Sequence, residues 1–201
     1  RTGFRFMGCP DCDEGTQEGQ LDWSILDPHH VTCRYCGMVY PNEKYPEDGV
    51  LKLTNPVGVE VEYPYWEDET GYRYLFSARG WREARSYFSS QSKNLAELYQ
   101  ITRDQTYARR AVLILDAFAR HYPGFLVSAD WPHRPKGFVL EPPYPNGGGK
   151  WGRWASSEVP SDVVYAYDWI HDSGELERLS DELGVDVGAR IENDFFRGCI
   201  R

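Results

Sequence analysis

Nowhere in the 201 residues is there an unbroken run of 18 apolar side chains, so the sequence predicts no membrane-spanning helix. The opening residues also lack the charged, apolar and small-residue order of a secretory leader. They start with Arg1 and not with Met, which predicts a processed start. Basic charge is in deficit, 22 Lys and Arg against 31 Asp and Glu, for a formal net charge of −9. Nucleic acid is held mainly by neutralising its phosphates, so that balance argues against a nucleic-acid partner and against a DNA-reading zinc ribbon. Cysteine is sparse too, with five in the chain.

Four of those five fall into two tight pairs, Cys9-Pro10-Asp11-Cys12 and Cys33-Arg34-Tyr35-Cys36-Gly37, separated by 20 residues. A C-x2-C turn points two thiolates to one side of a hairpin, and two such turns supply the four ligands of a closed tetrahedral zinc site at about 2.3 Å. Structural zinc on Cys9, Cys12, Cys33 and Cys36 is the favoured reading, with no ligand position left for catalysis. Disulfides among the same residues, or His29 or His30 in place of one cysteine, remain open. The fifth, Cys199, has no sequence partner and reads as a buried thiol.

Composition and period divide the chain into three regions: a zinc-knuckle region at 1–50, a β-hairpin cap at 51–80 and an α-helical region at 81–201. The prolines of the stretch from Tyr40 to Gly49 exclude helix there. Residues 57–78 read as a hairpin: Val57, Val59, Val61 and Tyr63 alternate, Glu67 to Gly71 supply a turn, and Tyr72, Tyr74 and Phe76 alternate back. Beyond residue 81 the period becomes helical. Residues 84–100 carry Tyr87, Phe88, Leu95, Leu98 and Tyr99 near that spacing, and 104–121 carry Tyr107, Ala108, Ala111, Leu115, Phe118 and Ala119. Asp104 is a candidate N-cap, and the second helix is expected to pack its apolar face on the first. A third helix is expected after Ser157, with Pro160 near its first turn and Gly174 at its end, and a last amphipathic stretch at 186–198. Helices joined by short turns predict a mainly α fold of antiparallel hairpins.

Residues 128–154 interrupt this rhythm with a Pro, Gly and aromatic stretch, long enough in a compact domain to suggest function or disorder. Between Trp131 and Trp154, four basic residues (Arg134, Lys136, Lys150 and Arg153) face one acid, Glu141, inside an acidic chain. Trp131, Phe138, Tyr144, Trp151 and Trp154 lie among them. Cations beside aromatic faces suit an acidic carbohydrate, the cations for carboxylate and the rings for stacking on sugar C–H faces. Lys150, Trp151, Arg153 and Trp154 are the first candidates for sugar contact, because Gly147 to Gly149 and Gly152 let the backbone approach closely. His133 and Arg134 are further candidates, and Glu158 is a possible acceptor for sugar hydroxyls. A solvated surface loop is the plain alternative.

Three groups of residues then resemble a known family: Tyr40-Pro41-Asn42-Glu43 with Tyr45-Pro46-Glu47-Asp48-Gly49; Leu95-Ala96-Glu97-Leu98-Tyr99 through Asp104 and Tyr107-Ala108 to Ala119-Arg120-His121-Tyr122-Pro123; and Tyr165-Ala166-Tyr167-Asp168-Trp169-Ile170. In order and spacing, over most of residues 33–176, they resemble the N-terminal part of heparinase II/III-like polysaccharide lyases. That resemblance implies a partial (α/α) toroid, continued in the family by antiparallel β-sheet domains. It implies a secreted or periplasmic enzyme that cleaves uronate-containing polysaccharide by β-elimination. In that reaction a Tyr or His base removes the C5 proton, a donor neutralises the uronate carboxylate, and an acid protonates the departing O4. The family's Asn-His pair is missing, since no Asn-His dipeptide occurs here, so most of the catalytic residues are expected beyond residue 201 and the 201 residues alone are expected to be inactive.

Other side chains have plainer readings. His171 is expected to favour a helix C-terminus as a cap, and Tyr165 and Tyr167 to pack in the core. A glycoside hydrolase on a similar toroid would need two carboxylates about 5–9.5 Å apart, for which Glu158, Asp162 and Asp168 are the candidates. A non-catalytic carbohydrate-binding module with a zinc-held cap is the third possibility. The sequence assigns no oligomeric state and no particular polysaccharide.

Overall fold

The computed structural model describes residues 8–12, 20–54, 60–69, 71–122 and 160–197. These form two compact units, one of the described residues up to Arg85 and one of those from Ser86 onward. The fold is mainly helical, with two small antiparallel sheets and a cluster of four cysteines.

In the first unit, β1 (Leu21–Ser24), β2 (Asp27–Cys33) and β3 (Val39–Tyr40) form a sheet in that order. Leu21 pairs with Cys33 and Trp23 with Val31, and alternation puts Leu21, Val31 and Cys33 inside, each 1% exposed. The second sheet runs β4 (Gly49–Thr54), β5 (Glu60–Glu67) and β6 (Arg73–Tyr74). Pro64, inside β5, is tolerated because β6 pairs only at Trp66 and Glu67, leaving Pro64 opposite Val50 of β4 alone. The β5–β6 turn is built by Asp68, whose backbone N–H donates to the Tyr72 carbonyl at 2.9 Å and whose Oδ1 accepts from Tyr72 N at 3.0 Å. Gly71 closes it at φ +77°, a conformation few other residues adopt.

The expected 57–78 hairpin is therefore found in part. Its turn and return strand are in place, but the long partner of β5 is β4, and Phe76 opens a helix instead of ending a strand. Val57 and Val59 lie outside the described residues.

That helix, α1 (Phe76–Thr102), is followed by α2 (Gln105–His121). Asp104 caps α2 as expected, its side chain accepting from Thr106 N at 2.8 Å and offsetting one orphan amide. Next come α3 (Ser161–Ile170), a 3-10 turn (His171–Ser173), α4 (Glu175–Leu183), and α5 (Val187–Arg190), which runs on as a π turn (Ile191–Phe196). Gly174 ends the 3-10 turn in the left-handed region at φ +80°.

Ala108, Ala111, Val112, Leu115, Phe118 and Ala119 form the buried stripe of α2 at helical spacing, while Tyr107 is only half-buried. That stripe packs chiefly against α3, α4, α5 and the π turn. The buried side of α1 in this unit is Ser89, Ser92, Ala96 and Tyr99, with Tyr87, Phe88 and Leu98 exposed. The sequence period there mixed two faces, because the buried one consists mostly of small side chains. Two buried acids tie α2 to its neighbours: Asp116 meets Arg190 of α5 at 3.4 Å, and Glu175 of α4 meets Arg109 at 3.8 Å.

Leu115 is fully buried and Leu113, two residues away, is 45% exposed. Leu115→Ala should lower the stability of the helical unit by about 2–5 kcal/mol, and Leu113→Ala by less than about 0.5 kcal/mol. Urea unfolding followed by helical circular dichroism checks this, and equal effects of the two substitutions would contradict the packing of α2.

Candidate metal centre

The second cysteine pair sits where β2 ends. Cys33 N–H donates to the Met38 carbonyl at 2.8 Å, and Gly37 N–H returns to the Cys33 carbonyl at 2.9 Å. Gly37 has φ +73°, so glycine after the second cysteine is a requirement of the turn. In the first pair, Asp11 N–H donates to Cys9 Sγ at 3.3 Å, curling the chain around that sulfur.

The two turns bring all four sulfurs within 4.8 Å of one another. Cys9 and Cys36 Sγ are 3.7 Å apart, as are Cys12 and Cys33 Sγ. A tetrahedron of sulfurs about 2.3 Å from a central ion has edges of about 3.8 Å, so the spacing fits a four-coordinate metal ion. A disulfide needs about 2.05 Å, and none of the four cysteines is disulfide-bonded. The cluster can hold a metal ion with four sulfur ligands and no open position. His29 and His30 are outside it; His30 Nδ1 lies 2.7 Å from Asp27 Oδ1 at the surface.

Burial varies across the four ligands. Cys9 and Cys33 are 1% exposed, Cys12 is half-buried and Cys36 is exposed. Burial pushes the Cys9 thiol above its ordinary pKa, against the pull of the Tyr40 hydroxyl and the Asp11 amide. Burial acts in the same direction on Cys33, but the backbone amides of Cys36 and Tyr35 more than offset it and leave that thiol lowered.

Asp11, between the first two cysteines, holds the pair down. Its Oδ1 accepts from Lys44 Nζ at 2.5 Å and Tyr45 Oη at 2.7 Å, and its Oδ2 from Tyr40 Oη at 2.8 Å. Burial raises the Asp11 pKa, but these three donors outweigh it and hold the carboxyl below its usual range. Tyr40 itself is fully buried and pushed far above the usual phenol value, chiefly by that burial. Around it Cys9, Leu21, Val31, Cys33, Tyr45 and Phe76 form one core, with Trp23, Trp66 and Tyr74 packed against it. Asp11, Lys44 and Tyr45 had no assigned role in the sequence. Lys44 and Tyr45 lie in the Tyr-Pro-Asn and Tyr-Pro-Glu run, whose prolines mark a turn, but nothing local ties that turn to Asp11.

The sugar-contact candidates His133, Arg134, Lys150, Trp151, Arg153 and Trp154 lie outside the described residues, as do Glu158 and Cys199. His171 is exposed at the end of α3, 3.1 Å from Asp172. Tyr167 is half-buried and donates to Glu192 Oε1 at 3.0 Å. Tyr165 departs from the expectation of core packing: it is 51% exposed and stacked on Trp169, because its position faces away from the Val163, Ala166 and Ile170 stripe. Of the two described hydrolase candidates, Asp162 is 3.7 Å from Lys93 and Asp168 is exposed. Comparison with models of protein families, with curated proteins and with solved structures gives no match.

Cobalt(II) added to the reduced chain should bind one ion per chain with the absorption of a tetrahedral tetrathiolate site. Cys33→Ser should lose that spectrum and His30→Ala should keep it. Uptake that depends on His30, or a spectrum unchanged in Cys33→Ser, would contradict the four-sulfur set.

Proposed function

We propose that the four cysteines hold one zinc ion in a structural site, in a protein that acts on an acidic, uronate-containing polysaccharide by β-elimination. The observation that carries the metal half is the near-tetrahedral sulfur spacing, with two edges of 3.7 Å. An all-thiolate set suits zinc over the harder cations, and four protein ligands fill its coordination, which assigns it to holding the fold. Zinc would cross-link the first unit, held by Cys9, Cys12, Cys33 and Cys36, with Tyr40 packed against the buried Cys9 and Cys33.

The polysaccharide half is supported by the lyase resemblance over most of residues 33–176 and by the basic, aromatic composition of residues 131–154. In this reading the helices from α1 onward are the first hairpins of an (α/α) toroid, and Arg153 and Lys150 meet uronate carboxylates while Trp151 and Trp154 stack on the rings. Neutralising the carboxylate makes the C5 proton removable, and the electron pair it leaves expels O4. The residues that take and give those protons are assigned to the part of the lyase beyond residue 201.

The complete reading-frame product, incubated with uronate polymers, should release chain ends that absorb in the ultraviolet as unsaturated uronates. New reducing ends without that absorbance would replace the lyase reading by a hydrolase, and binding without cleavage would replace it by a binding module. Arg153→Ala should weaken polymer binding by about 1.5–3 kcal/mol, and by less at raised ionic strength. Trp154→Ala should weaken it with no such salt dependence. Wild-type binding by both variants would remove residues 131–154 from the site.

A further inference from the structure

The Tyr40 phenol has one proton and two acceptors. Its oxygen is 2.8 Å from Cys9 Sγ and 2.8 Å from Asp11 Oδ2, and the side chain is fully buried. With Cys9 as a thiol, both contacts are satisfied at once: the S–H donates to the phenol oxygen and the phenol donates to Asp11. A coordinated Cys9 is a thiolate and can only accept. The phenol must then serve one of two anions. Asp11 is the one that can be left, because its Oδ1 already accepts from Tyr45 Oη at 2.7 Å and Lys44 Nζ at 2.5 Å. Cys9 Sγ has otherwise the longer Asp11 N–H contact, at 3.3 Å, and the Cys36 sulfur at 3.7 Å, which as a coordinated thiolate has no proton to donate.

We propose that Tyr40 is the positioning residue of the metal site: its hydroxyl turns from Asp11 to the Cys9 thiolate when the metal binds, and its ring carries that state to the start of α1. The ring stacks on Phe76, the first residue of α1, at 4.5 Å between centroids and 10° between planes. Seven residues after Tyr40, Glu47 accepts from Ser77 N at 3.0 Å and so caps the same helix from outside it. One segment, from Tyr40 to Glu47, thus touches a metal ligand at one end and the first turn of α1 at the other. This inference rests on the metal reading and goes beyond it, since four cysteines alone would hold an ion without joining it to the helix.

The donation has a predictable electronic effect. A hydroxyl on a coordinated thiolate draws density from sulfur and fixes its direction, and losing such an outer partner typically costs 10–100-fold in metal affinity. Tyr40→Phe keeps the ring on Phe76 and removes only the hydroxyl. In competition with a chromophoric chelator, it should bind zinc about 10–100-fold more weakly than wild type. With cobalt(II), its thiolate-to-metal charge-transfer band should move to lower energy, while helical circular dichroism stays as in wild type. A purely structural role would weaken binding and leave the band in place, which overturns the proposal, as would wild-type affinity with a wild-type band. Wild-type chain that takes up neither zinc nor cobalt overturns the metal reading itself. If Tyr40→Phe does not fold, wild-type chain loaded with an NMR-active cadmium isotope decides the matter. A tyrosine hydroxyl proton in slow exchange and coupled to cadmium is expected, and its absence overturns the assignment.

Discussion

Convergence of four cysteine sulfurs on one point is the constraint on which the first unit depends. Three of its six described strands are short: β3 and β6 have two residues each and β1 has four. Strands of that length bury too little to persist alone, and small domains commonly need a metal or disulfide staple. Here the staple lies in the core. Cys9 and Cys33 are among the buried residues that pack with Leu21, Val31, Tyr40 and Phe76, so what fixes the sulfurs also fixes the sheet and the entry to α1. Crowding four sulfurs within 4.8 Å without a shared ion would set partial negative charges together, two of them on the buried Cys9 and Cys33. Coordination turns that cost into a cross-link.

The helical unit is built on other terms. Its centre is the α2 stripe packed by Val163, Ile170, Leu179, Val187, Ile191 and Phe195, all 2% exposed or less. Asp116 and Glu175 sit in that interior and are answered by Arg120, Arg190, Arg109 and Arg178 from three helices. Removing one partner of such a pair leaves a buried charge, so these contacts fix the register of the helices more than they add stability. None of this uses a cysteine, and ordinary packing accounts for it.

How much of this could be read from the sequence differs between the units for a physical reason. The cysteine spacing, the Asp104 cap and the Gly174 stop are local signals, each set by a few adjacent residues, and each appears where it was expected. The stripe of α2 was legible because apolar residues recur along it at helical spacing, with Val112, Leu115 and Phe118 among them. The α1 face was not, since Ser89, Ser92 and Ala96 are buried without being strongly apolar. Strand β2, Asp-Pro-His-His-Val-Thr-Cys, has poor strand propensity over its first half and is held by its pairing with β1 and by the cysteine turn that follows. Helix α4 was missed as well, since only Leu176 and Leu179 mark its buried side. The Asp11 brace joins residues more than 30 positions apart, which no local pattern reports.

Amide hydrogen exchange on the zinc-loaded chain, with and without a strong chelator, tests the dependence of the first unit on its sulfur cluster most directly. Removing the metal should strip protection from residues 21–40 and from the first turn of α1, while the amides of α2 stay protected. Equal protection of residues 21–40 with and without metal would contradict the account.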